Sequence, residues 1–276
     1  YKRQVLPHPE AVRTLVAFYE DTGHAGDAVS AIVAAGIVPA AIEMMDRLSI
    51  SAAEQATRVG YRLDAGAALL VELDGPQAEC ELRFEHVREL CSANSLELRV
   101  AETQAERELM WKARKAAFAA MGRIAPAYYV QDGVIPRTRL TEVLRRIDDL
   151  SQEYGLQVAN VFHAGDGNLH PLVCYDASRD GEPERAEELA GLIVKACVEA
   201  GGSITGEHGV GVDKKAYMPE MFSEHDLDAF QRLRCAFDPH ALANPGKVMP
   251  TPRLCGEVPG PYREHPLERA GVATRF

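Results

Sequence analysis

The sequence predicts an α+β fold of the ferredoxin-like kind, with a mainly antiparallel sheet covered by helices on one face and a C-terminal helical segment after it. Three observations predict it. Strand and helix patterns alternate as strand–helix–strand, twice, between residues 13 and 100. None of the intervening turns carries the glycine fingerprint of a doubly wound, dinucleotide-binding sheet. The 276 residues are 46% hydrophobic, which is enough for a sizeable core in one large or two ordinary domains.

Residues 13–19, Arg-Thr-Leu-Val-Ala-Phe-Tyr, read as the first strand, and residues 26–35, rich in Ala, Val and Ile, as a helix closed by Gly36. A second strand follows over 38–44. Asp46 with Ser49 then opens a helix near 52–58, and 67–73 form a third strand ended by Asp74-Gly75-Pro76. A helix over 79–93 and a strand over 96–100 complete the pattern. A charged helix over 105–120 carries Trp111 and Arg114, and Pro126 breaks the chain before a strand at 128–132. Leu140, Val143, Leu144, Ile147 and Leu150 recur at helical spacing up to Gly155, so their stripe is core rather than a cofactor box. Strands at 158–162 and 172–175 are expected to form a hairpin around 164–169. A helix over 184–199 ends at Gly201-Gly202 and feeds a short strand into Glu207-His208, and the last helix covers 226–235. The expected division is a ferredoxin-like substrate or cap domain over 1–200, a C-terminal segment over 201–250, and an irregular tail over 251–276, rich in Pro, Gly and charge.

A net charge of −11 and an isoelectric point near 5.3 leave no basic surplus, so nucleic acid is not an expected partner. Anionic substrates would need a local positive site. The six cysteines are scattered with no C-x-x-C pair, which signals neither a disulfide framework nor a thiolate metal centre. A reducing cytoplasm is the expected compartment, and no apolar run reaches membrane-spanning length. The sequence opens on Tyr1 rather than Met.

Chemistry is concentrated in His163-Ala-Gly-Asp-Gly-Asn-Leu-His170 and in Gly206-Glu207-His208-Gly209-Val210-Gly211. A hairpin would bring His163 and His170 to one end of a sheet, where neighbouring strands lie about 5 Å apart and two side chains can converge on one ion. Two imidazoles and the Glu207 carboxylate form a metal set that leaves coordination positions open, as catalytic sites do. His208 is then left over as a base. The same Gly-Asp-Gly-Asn residues are also ordinary turn formers.

With these residues in view, the chain resembles the C-terminal half of the FAD-linked 2-hydroxyacid oxidases of the vanillyl-alcohol oxidase superfamily, and within them the glycolate-oxidase branch. The matching stretches are Ala34 to Pro39, Glu43-Met44-Met45-Asp46, Trp111 to Phe118, Asp132 to Pro136, Asn160 to Pro171, Gly201 to Gly211 and Asn244-Pro245-Gly246-Lys247. The resemblance implies that His163, His170 and Glu207 hold a divalent metal, Zn or Mn, and that His208 is the base. It further implies that Arg114, in the Trp-x-x-Arg motif, binds the substrate carboxylate through its guanidinium fork. Asn168 could touch the metal shell or the substrate, and Asn244 is expected near the flavin ring. The implied reaction takes glycolate or D-lactate to the 2-oxo acid, with hydride passing to flavin N5.

Family members that oxidise dicarboxylates tend to carry a basic residue where this chain has Val130, two positions before Asp132, so a small monocarboxylate is favoured over 2-hydroxyglutarate. The N-terminal flavin-binding domain of such enzymes, about 200 residues, has no counterpart in this sequence, so FAD is expected to be held mainly outside the chain, which alone should not turn over. Partners implied by the resemblance are that flavin domain, a second flavin-domain-like subunit and an iron–sulfur subunit, with association at the inner face of the membrane through them. Two other readings of the same residues stand beside it. One is a metal-dependent hydrolase using the two-His-one-Glu site, and the other is a non-catalytic interaction domain stapled by its metal.

Overall fold

Leu15, Val16, Ala17, Phe18 and Tyr19 are all buried, and a strand can bury successive residues only if both of its faces are covered. Leu15, Ala17 and Tyr19 belong to one hydrophobic core, whereas Val16 and Phe18 belong to another. The helices therefore lie on both faces of the sheet, which corrects the one-faced arrangement expected from sequence. The α+β class and the ferredoxin-like strand order stand.

The structure is a computed structural model that describes residues 8–240 and 242–250. The elements in order are β1 (Ala11–Tyr19), α1 (Thr22–Ala34), β2 (Ala41–Asp46), α2 (Arg47–Thr57), β3 (Ala67–Gly75), α3 (Gln77–Ser92), β4 (Ser95–Val100), α4 (Gln104–Ala120), β5 (Ala127–Val130), β6 (Gly133–Val134), α5 (Leu140–Tyr154), β7 (Val158–His163), β8 (Asn168–Leu169), β9 (Pro171–Tyr175), α6 (Glu182–Glu199), α7 (Met218–Met221) and α8 (Glu224–Phe237). The sheet runs β4-β1-β3-β2-β7-β8-β6, with β9 pairing both β7 and β5. Its first four strands are the ferredoxin-like part, with α1 and α3 as the two crossovers. One core packs apolar residues of α1, α3, α5 and α6 on one face, and the other packs those of α2 and α4 on the opposite face.

Local chemistry explains where elements start. Asp46 ends β2 and caps α2, its Oδ1 accepting the Ser49 amide at 2.9 Å, so α2 begins earlier than its apolar residues suggest. Thr103 and Glu106 form a capping box that opens α4. Gly155, at φ 62°, stops α5 as expected. The predicted hairpin forms, since β7 pairs β9 through Val158↔Val173. The segment between its strands makes a short strand of its own, β8, which pairs β7 at His163↔Asn168 and also pairs β6. The short strand expected before Glu207 does not form; only an isolated bridge joins Ser203 to Val134.

The described residues group into two compact units, the first ending at Gly209 and the second beginning at Val210. Glu207 and His208 therefore belong to the first unit rather than to the 201–250 segment in which the sequence placed them. The second unit contains α7 and α8, and a capping box of Ser223 and Asp226 starts α8. The Asp238 carboxylate accepts the amides of Leu242 and Ala243 after it. Cys80, Cys91, Cys174 and Cys197 are free and buried. The expected tail over 251–276 lies outside the described residues. Among the described residues no helix is long and apolar enough to cross a membrane.

A candidate metal and substrate site

The turn after β7 brings two histidines back to one sheet end. Its geometry depends on Gly167, which has φ 78° and leaves no room for a side chain, since a Cβ there would lie 2.2 Å from the Ile135 carbonyl oxygen. The Ile135 amide donates to the Gly167 carbonyl at 3.0 Å, pinning the turn to the chain beyond β6. His163 closes β7 opposite Glu43 of β2, and His170 sits between β8 and β9. Gly206 allows the Glu207 loop to lie against Asn168, because a Cβ at Gly206 would be 2.3 Å from Asn168 Oδ1.

The result is a convergence of ligand atoms. One atom from each of His163, His170 and Glu207 lies within 4.8 Å of the others. Glu207 Oε1 is 3.2 Å from His170 Nε2 and 3.8 Å from His163 Nε2. Burial, followed by the neighbouring His163 and His208, pushes His170 down to about 4, so its imidazole is neutral at physiological pH, as a metal ligand must be. His163 is shifted up, chiefly by its hydrogen bond to Glu43. Two imidazole nitrogens and one carboxylate oxygen are a donor set that fits Zn or Mn and leaves further positions open. His208 stacks on His170 with ring centroids 5.1 Å apart, and its Nε2 is 3.9 Å from Glu207 Oε1. His163, Glu207 and His208 are partly exposed, at 38%, 54% and 46% of their side chains, whereas His170 is buried at 3%.

Two buried carboxylates that the sequence did not single out organise this cluster. Asp132, fully buried, accepts the amides of Gly206, Glu207 and His208 on Oδ2 at 2.9, 2.7 and 2.8 Å, and the Thr205 hydroxyl as well. Glu43 holds His163 Nδ1 at 2.8 Å through Oε1 and Arg114 Nε and Nη2 at 3.0 and 2.8 Å through Oε2. The available signal was the same in both cases, an acidic residue set among apolar ones at a strand or its edge.

Arg114, expected as the carboxylate receptor, is covered rather than open and is ion-paired to Glu43. Its guanidinium also lies over the Phe118 ring at 5.9 Å. Asn168 is buried beside the Glu207 loop, with Oδ1 lacking a hydrogen-bond partner. Asn244 belongs to the second unit, where it adopts φ 47° and its Oδ1 accepts from Lys247 at 3.2 Å.

Comparison with known proteins shows the family to which the chain belongs. Residues 8–248 match the family described as "FAD linked oxidases, C-terminal domain". The chain is 48% identical to the Glycolate oxidase subunit GlcD of Escherichia coli (strain K12) over 95% of its own length and 53% of that protein. It is 35% identical to the GlcD subunit of Bacillus subtilis (strain 168), over 89% of this chain and 52% of the other. Identity to the mitochondrial D-lactate dehydrogenase (cytochrome) of Arabidopsis thaliana is 30%, over 84% of this chain and 41% of the other. The chain thus spans about half the length of the curated relatives it matches. Among solved structures, p-cresol methylhydroxylase with substrate bound superposes with a TM-score of 0.67 at 13% identity, over 88% of this chain and 53% of that one. The 4-ethylphenol oxidase of Gulosibacter chungangensis gives 0.66 at 14%, over 91% and 56%. At such identities these two speak for the fold alone. The family match covers most of the chain and agrees with the relatives' names: the chain belongs to the FAD linked oxidases, as their C-terminal domain.

Proposed function

We propose that this chain is the substrate- and metal-binding half of a flavin-dependent 2-hydroxyacid dehydrogenase that takes glycolate or D-lactate to the 2-oxo acid. The observation that carries the proposal is the meeting of His163, His170 and Glu207, with His208 beside them, in a chain of the FAD linked oxidase family. The same family match favours this reading over the hydrolase and metal-staple readings of the trio.

Oxidation of a 2-hydroxy acid removes the hydroxyl proton and a hydride from the α-carbon. His208, half-exposed at the rim of the trio, is the group we assign to the proton, which it would take on a ring nitrogen. Arg114 is assigned to the substrate carboxylate. It lies covered beside Glu43, and a charged donor held there would orient the substrate by its carboxylate end. A divalent cation held by His163, His170 and Glu207 would acidify the substrate hydroxyl, easing the work of the base. Asn168, buried against the loop that carries Glu207, is assigned to the wall of the substrate site. Val130 in place of a basic residue supports a small monocarboxylate.

The hydride needs an acceptor that side chains do not provide, and the FAD of this family supplies it. The match is to a C-terminal domain and the chain spans about half the length of the curated relatives it matches, so we assign FAD mainly to a region outside this chain, with Asn244 as the contribution from the second unit. As the GlcD relatives are named subunits, we also propose partner subunits, a second flavin-domain-like chain and an iron–sulfur protein, that seat the assembly at the cytoplasmic face of a membrane.

The test is to combine this chain with a flavin-binding region and add glycolate or D-lactate without oxygen. Bleaching of the flavin absorbance, slowed at least about 100-fold by His208→Ala, is the expected result. A flavin that stays oxidised with both acids would overturn the proposal.

A further inference from the structure

Glu43 is a carboxylate in a place that disfavours one. It sits on β2 between the buried apolar residues Ile42 and Met44, and is itself only 7% exposed. A lone charge there would be strongly penalised, so its partners account for its presence. Those partners divide between its two oxygens: Oε1 meets His163 Nδ1 and Oε2 meets Arg114. One side chain thus joins a residue assigned to the metal with the residue assigned to the substrate carboxylate.

The consequence for His163 follows from imidazole chemistry. An Nδ1 facing an ionised carboxylate must carry the proton, which in the neutral ring leaves Nε2 with its lone pair. Nε2 is the atom that points at Glu207 Oε1, 3.8 Å away. We propose that Glu43 is a positioning residue that locks His163 in the Nδ1–H tautomer, keeping Nε2 available to a divalent cation, while its second oxygen holds the Arg114 guanidinium in the same frame. This rests on the metal and carboxylate roles given above, and extends them to a residue that touches neither ligand.

Glu43→Gln isolates the effect because it preserves shape and removes the second acceptor. The amide oxygen of Gln should turn to the charged Arg114, so that its NH2 faces His163 and demands the opposite tautomer. Long-range 1H–15N spectra of the chain, taken without metal at a pH where the ring is neutral, should show His163 as Nδ1–H in the wild type and as Nε2–H in Glu43→Gln. Competition titration with Zn2+ should show about 10- to 100-fold weaker binding in the variant, the usual cost of losing such a support. Arg114→Met, which leaves the Glu43–His163 contact intact, should keep the Nδ1–H tautomer.

A wild-type His163 found mainly as Nε2–H would overturn the inference, as would a folded Glu43→Gln that binds Zn2+ as the wild type does. The wild-type spectrum decides the tautomer even if the variant does not fold. A wild type that shows Nδ1–H yet binds no Zn2+ would support the hold of Glu43 on the ring and sink the metal reading instead.

Discussion

Asp132 Oδ2 lies 2.7 Å from the amide nitrogen of Glu207, although the two residues are far apart in sequence. The same oxygen takes the amides on either side of Glu207. A buried carboxylate that collects three adjacent N–H groups sets the backbone of a loop, much as a cap sets a helix end. Asp132→Ala should therefore release both Glu207 and His208 and weaken Zn2+ binding at least about 10-fold. Asp132→Asn, which keeps one acceptor oxygen, should lose less. Competition titration of both variants checks the order; equal binding in wild type and Asp132→Ala would remove the anchoring role.

A second carboxylate tests the scaffold away from the site. Burial alone would push the Glu72 carboxyl up, but hydrogen bonds from Arg107, Thr14 and Trp111 together hold it below its ordinary value. A carboxylate held low in this way contributes stability above its unfolded pKa of about 4.3 and loses it as pH falls through the lower folded value. Glu72→Gln should cost about 1–3 kcal/mol at neutral pH, and the gap from wild type should close in acid. Urea unfolding across that range measures it, and a gap that widened in acid would contradict the account.

The Gly167 turn gives a backbone prediction. Alanine there would carry a Cβ in the left-handed region, at about 1–2 kcal/mol, and would press on the Ile135 carbonyl. Gly167→Ala should lose at least about 2 kcal/mol of stability in thermal unfolding, and Zn2+ binding should weaken with it because His163 and Asn168 pair across this turn. An unchanged melting temperature would show that the turn yields freely.

The substrate assignment makes a kinetic prediction. Arg114→Lys keeps the charge but replaces the planar fork, which can face Glu43 and a substrate carboxylate along different edges, with a single compact ammonium. In the assembled flavoenzyme KM for glycolate or D-lactate should rise at least about 10-fold. A change in kcat alone, with KM unaltered, would place Arg114 elsewhere in the reaction.

Much of this was legible in the sequence because its signals were local. His163 and His170 bracket a turn made of turn-forming residues, and Glu207 and His208 stand side by side between glycines. Glu43 and Asp132 were not legible as organisers, since each acts on residues that only the fold brings near. The ferredoxin-like strand order followed from alternating patterns, but coverage of both sheet faces was missed even though the unbroken apolar run from Leu15 to Tyr19 announced it. The two-residue strands β6 and β8 are too short to leave a periodic pattern, and they are what bind the histidine turn into the sheet. The covered state of Arg114 depends on the Glu43 contact and has no signature of its own on a charged helix.

The central claim is that His163, His170 and Glu207 hold a divalent metal, and elemental analysis of the purified chain beside Glu207→Ala tests it most directly. The account predicts one equivalent of Zn or Mn in the wild type and its loss in the variant. A wild-type chain without metal, or the same metal content in both proteins, would contradict it.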